Sequence, residues 1–248
     1  MNSTAFLTAR RIGQHWMSCD GMAILQTRLL RIYRQLLKEF GHRGWWPGET
    51  RFEIMIGAIL TQNTNWGNVE KAISGLKSKG LLEPEALADS DVRQIEKAIR
   101  SSGYFRQKAG RIKGFAKYLV ENYDGDLDSF FSKRLAGLRE ELLSLNGIGP
   151  ETADSILLYA GEKPVFVVDA YTKRIFGRLG LVGEDAGYEE VQRFFEKGLP
   201  EDVELYKDFH AQIVELGKRF CKKGTPLCRE CPLRKECKQR SDLYSSPE

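Results

Sequence analysis

An all-α fold is predicted for this chain, and three observations predict it. Apolar residues recur at helical spacing through most of the sequence. Gly and Pro break these runs into helix-length pieces. Strand-like alternation is almost absent. Only VFVV, at 165–168, reads as a strand, and four residues between Pro164 and Asp169 are too few to build a sheet.

The first helix is predicted at 24–40, where Ile24, Leu25, Leu29, Leu30, Ile32, Tyr33, Leu36, Leu37 and Phe40 share one face and Gly41 ends the run. A loop with Gly44, Pro47 and Gly48 follows. The next helix, about 51–62, is apolar nearly all round and is therefore expected at the centre of the fold. Residues 63–65 read as a turn. Further helices are expected at about 67–79, 84–87, 91–100, 105–122, 126–131, 133–144, 150–160, 170–180, 187–197 and 203–220. There is no low-complexity segment and no fixed-period repeat.

LNGIGPETAD, at 145–154, sets a hairpin between two of these helices. Gly147 and Gly149 can take conformations closed to other residues. Pro150 suits the first helical position, where an N–H is not needed. With Ile148 between them, the two glycines expose backbone N–H groups at a helix N-terminus. Such a hairpin is a ready anion site, suited to a DNA phosphate without reading any base. Downstream, Asp169 follows VFVV and precedes an amphipathic helix. It is placed as an N-cap, where the helix end also favours its ionised form. A carboxylate there could stabilise positive charge developing on a sugar, or activate water.

Composition sets outer limits. The 248 residues allow one large domain or two intertwined lobes. Hydrophobic content of 42% and charged content of 29% are ordinary for a globular protein. No apolar run is long enough to span a membrane. Residues 1–22 carry Arg10 and Arg11 without the apolar core of a secretory signal, so they read as an extension, with Met22 as a potential start. The expected location is cytoplasmic and nucleoid-associated, in a prokaryote. Net charge is only +4, but 218–240 holds nine Lys/Arg, among them Lys222 and Lys223, against two Glu. A basic stretch of that kind suits a phosphate backbone, though a solvated surface would look the same.

Within that stretch lie Cys221, Cys228, Cys231 and Cys237, spaced C-x6-C-x2-C-x5-C, whereas Cys19 stands apart. Four thiols in so short a run fit a metal centre better than two disulfides. A zinc site would show two close pairs, and only one is present. The wider, uneven loops favour a [4Fe–4S] cluster; zinc and unligated thiols are the alternatives.

The hairpin, Asp169 and the four cysteines together resemble the endonuclease III superfamily, helix–hairpin–helix DNA glycosylases with an iron–sulfur cluster. The likeness runs from about residue 25 to 240. It implies a two-lobed fold: a six-helix barrel with the hairpin at 53–163, and a discontinuous cluster lobe from 23–52 and 164–240, with DNA across the cleft and 241–248 as a tail. It also implies a monomer acting on double-stranded DNA with a damaged base, with no membrane partner. The implied cofactors are the cluster and a monovalent cation at the hairpin. The family's catalytic Asp falls on Asp169, and its stack-filling glutamine on Gln62 in LTQNT. Bifunctional members carry a lysine where Glu151 stands. That lysine forms a Schiff base and cuts the strand, so Glu151 implies base removal alone. WWP (Trp45, Trp46, Pro47), LTQNT followed by Trp66, and GIGPETAD look most like the 3-methyladenine branch, which implies Trp45, Trp46, Trp66, Glu151 and His210 at the base pocket. His210 reads equally as a packed helix residue. Two departures stand against that branch: the cysteines are kept, and Gln212 stands where a lysine is expected.

Overall fold

The computed structural model describes residues 19–237. Its helices are α1 (Cys19–Phe40), α2 (Arg51–Leu60), α3 (Trp66–Lys77), α4 (Pro84–Asp89), α5 (Val92–Ala98), α6 (Phe105–Tyr123), α7 (Leu127–Phe131), α8 (Leu135–Ser144), α9 (Pro150–Ser155), α10 (Ala170–Arg178), α11 (Tyr188–Gly198) and α12 (Val203–Arg219). α9 runs on through Ile156–Ala160 as a wider π-type turn. No strand occurs among the described residues. The 241–248 tail lies outside them, as does the 1–22 extension up to the start of α1.

The chain forms two compact units. The continuous one is Trp46–Lys163. At its heart is α2, eight of whose ten residues are buried. A reciprocal cap close to a capping box starts it: Thr50 Oγ1 accepts the Glu53 N–H at 3.1 Å, and Glu53 Oε2 accepts the N–H of Glu49, one residue before the cap, at 3.1 Å. Around α2 pack α3, α6 and the π-type turn, all presenting fully buried aliphatic side chains such as Val69, Ile112 and Leu157. α8 and α9 are fastened by a two-pronged ion pair: Arg139 Nε and Nη2 donate to Asp154 Oδ1 and Oδ2 at 2.7 and 3.1 Å. Asp154 is wholly buried. Removing the guanidinium strips a buried carboxylate of its charge partner. Arg139→Ala is therefore expected to cost roughly 3 kcal/mol in a denaturant titration, well above the effect of a surface pair.

The second unit joins the N-terminal chain, to Trp45, with everything from Pro164 onward. Its core is aromatic. Phe166 stacks on Phe195 at 4.0 Å, and Phe176, Tyr206 and Phe209 pack edge-on around that pair. Phe166 belongs to the strand-like VFVV, which is buried yet pairs with no strand. Side chains of α11 serve its backbone instead. The Phe166 N–H donates to Glu196 Oε1 at 3.0 Å, Gln192 Nε2 donates to the Phe166 carbonyl at 2.8 Å, and the Val168 N–H reaches the Tyr188 hydroxyl at 3.4 Å. α10 and α12 cross closely at Gly217, where a Cβ would strike the Tyr171 ring. The extended run thus delivers its last residue, Asp169, to the start of α10.

Candidate active site

The hairpin between α8 and α9 is built as the sequence predicts, with one correction. Gly147 has φ +81°, a conformation that favours glycine. Gly149 does not: its φ of −96° and ψ of 177° are ordinary extended values, and it serves as the N-cap of α9, with Pro150 at the first helical position. A Cβ at Gly149 would meet nothing within 4 Å, so its smallness serves neither backbone strain nor internal packing. It leaves the hairpin surface open to close approach from outside. The Ile148 N–H closes the turn onto the Leu145 carbonyl at 3.2 Å, and the Ile148 side chain is buried. Glu151 lies exposed in the first turn of α9.

Gln62, just past the C-cap of α2, does not project freely. Its Nε2 donates to the Gly147 carbonyl at 2.9 Å and to Thr152 Oγ1 at 3.0 Å. Arg111 Nη1 donates to its Oε1 at 2.6 Å. The amide therefore ties the loop after α2 to the hairpin. Filling a gap in a base stack requires it to exchange these bonds for bonds to a base.

Asp169 caps α10. Its Oδ1 accepts the Thr172 N–H at 2.7 Å and the Thr172 hydroxyl at 2.9 Å. Its Oδ2 lies 3.7 Å from His210 Nε2 on α12, and both side chains are nearly buried. Burial pushes the Asp169 carboxyl upward, but His210 and the two Thr172 bonds outweigh it and hold the group below the ordinary carboxylate value. So His210 is more than a packed helix residue: it faces the carboxylate.

Two of the predicted aromatics lie together in the continuous unit. Trp46 meets Trp66 edge-on at 5.3 Å and Tyr159 at 5.4 Å. Gly57 allows the Trp46 indole to lie against α2. Trp66 Nε1 donates to Glu70 Oε1 at 2.7 Å. Trp46, Pro47 and Trp66, with Glu53, Glu70 and Lys77, wall a recess of about 300 Å³. Trp45 belongs to the other unit, where Lys218 Nζ sits 5.8 Å from its ring centre.

The cysteine loop follows α12 and is held by two arginines of α10 that sequence reasoning missed. Arg174 Nε donates to the Cys221 carbonyl at 2.9 Å. Arg178 donates to Cys221 Sγ at 3.2 Å and to the carbonyls of Lys222 and Lys223 at 2.8 and 3.2 Å. Lys222 and Lys223 are exposed. None of the four cysteines is joined in a disulfide. Burial pushes Cys231 up to about 11, and Cys221, Cys237 and Cys228 are near enough to add to the shift. Among the described residues, no three Cys, His, Asp or Glu side chains converge closely enough for a single ion.

Tyr104 was also missed. It is 68% exposed, and its φ of +45° is uncommon for a bulky residue. The signal lay in SGYF, a glycine directly before an aromatic at a helix start.

Residues 56–201 match the family model described as HhH-GPD superfamily base excision DNA repair protein. A Methanocaldococcus jannaschii protein named "putative DNA repair glycosylase" is 50% identical over 211 residues, 84% of this chain and 95% of that one. Endonuclease III of Thermotoga maritima is 36% identical over 212 residues, covering 83% and 90%. Among solved structures, the 3-methyladenine DNA glycosylase of H. pylori bound to 1,N6-ethenoadenine is 32% identical, with a TM-score of 0.68 over 80% of this chain and 97% of that one. A non-covalent endonuclease III–DNA complex is 25% identical, with a TM-score of 0.77 over 89% and 99%.

Proposed function

We propose that this chain, which belongs to the HhH-GPD superfamily of base excision DNA repair proteins and is a DNA glycosylase of that pathway, removes alkylated purines from double-stranded DNA by hydrolysis alone. Two separate observations support the reading: within its own unit Asp169 is buried and held ionised, and the hairpin carries a glutamate, not an amine, at Glu151. N3- and N7-alkylated purines carry positive charge and leave easily, so they need neither a strong acid nor a nucleophilic lysine. A cationic base also gains from aromatic faces and nearby carboxylates. Trp46, Trp66, Glu53 and Glu70 offer both in one recess, and Trp45 and His210 complete the set of groups proposed to meet the base.

In this reading the open hairpin surface at Gly147–Gly149 and the exposed Lys222 and Lys223 grip backbone phosphates. Gln62 and Tyr104 occupy the stack as the damaged base turns out, a step that costs less for a weakly paired base. Asp169 stabilises the oxocarbenium-like sugar and orients the water that attacks C1′. Cys221, Cys228, Cys231 and Cys237 would hold a [4Fe–4S] cluster. When bound, it would order the basic loop without entering the reaction. Visible absorption with four irons per chain supports that assignment, and a colourless zinc protein counts against it.

A panel of duplexes, each with one lesion, tests the substrate under single-turnover conditions. Release of 3-methyladenine or 7-methylguanine, with oxidised pyrimidines and mismatched thymine untouched, supports the reading; the reverse pattern replaces it. The carboxylate adds a pH prediction. A group held below its ordinary value contributes stability above that value and loses it as pH falls through the folded-state value. The acid limb of base release is therefore expected below the usual Asp range, about 3.9. His210→Gln should move it upward, and an unmoved limb would show that His210 does not act on Asp169.

A further inference from the structure

Lys108 lies on α6, is 1% exposed, and takes no part in the mechanism above. Burial and the charge of nearby Arg111 lower its amine to about 8. A buried ammonium without a carboxylate is costly, so its bonds ask for a reason. They are two. Nζ donates to the Leu60 carbonyl at 2.9 Å and to the Ser102 carbonyl at 2.7 Å. Leu60 ends α2, two residues before Gln62; Ser102 lies two residues before Tyr104. One side chain thus clasps both segments that carry the groups proposed to enter the base stack. Only a long stem with several donors at its tip can serve two carbonyls at once. Arg111, one turn further along α6, holds the Gln62 amide itself.

We propose that Lys108 is a positioning residue that fixes the spacing of Gln62 and Tyr104, so that both enter one gap in the duplex together. The inference rests on the reading of those two residues as stack-filling groups, but not on the lesion or on Asp169. Its test uses DNA that cannot be cleaved. Binding is compared between an undamaged duplex and one with a tetrahydrofuran abasic analogue, with 2-aminopurine opposite the gap as a fluorescent report of unstacking. Lys108→Met should lose about tenfold of the preference for the analogue and most of the 2-aminopurine signal, while binding undamaged duplex as before. Lys108→Arg, which keeps charge and donors, should recover part of both. Combined with Tyr104→Ala, Lys108→Met should cause little further loss, since residues that act as one unit are not additive. A preference that survives Lys108→Met, an equal loss on both duplexes, or losses that simply add would each overturn the proposal. Should Lys108→Met fail to fold, Lys108→Arg enters the same cycle with Tyr104→Ala, and zero coupling there decides against it. A chain that releases no base from the panel but keeps this coupling fails the glycosylase reading alone.

Discussion

Asp169→Asn is expected to bind lesion-bearing DNA as the unaltered chain does and to release base at least about a thousandfold more slowly. The substitution separates two roles that share one residue. Asn caps a helix as well as Asp does, and its side-chain oxygen can still accept the Thr172 N–H. The shape against His210 is also kept. What disappears is the negative charge. An oxocarbenium-like sugar loses its counter-charge, and the attacking water loses its acceptor. Thermal unfolding should fall by no more than the stability the carboxylate's charge contributes, with the fold retained, while single-turnover release collapses. If release persists near its original rate, Asp169 is only a cap and the chemistry lies elsewhere.

The second large effect concerns covalent trapping. Borohydride reduces a Schiff base to a stable adduct, so an enzyme working through a lysine becomes linked to its DNA. This chain is expected to give no such adduct. Glu151 occupies the first turn of α9, where an amine would have to stand, and a carboxylate cannot make the bond. Glu151→Lys on abasic-site DNA is expected to turn a blank lane into a trapped band. An adduct from the unaltered chain would remove the case for hydrolysis alone and point to Lys163 or Lys173 as the nucleophile. A blank lane from Glu151→Lys would show that this turn does not face the sugar.

How far the sequence could be read depended on how local the determinants were. Helix positions were legible because apolar spacing and caps act within a few residues; Pro150 and Asp169 each mark a helix start in the sequence and in the fold. VFVV was legible as extended, but not in how its backbone is satisfied, since Gln192 and Glu196 lie on a later helix. Gly149 was misread because a glycine announces permission, not use; here it keeps the surface bare, and only Gly147 needs the unusual dihedral. Trp45 and Trp46 are neighbours in sequence yet belong to different units, which no spacing rule could reveal. Lys108 and Arg111 carried no signal in the sequence. Their work is done on carbonyls and an amide brought near only by folding.

The extended run ahead of Asp169 has one more consequence. A strand in a ladder is secured collectively, and one lost bond is shared among many. This run is moored by separate ropes, each thrown from a single side chain of α11. Slackening one, as Gln192→Leu would, lets the acid drift while the aromatic core beneath stays closed. Faults on the far side of that helix should thus surface first as slow chemistry in a protein that still melts where it should.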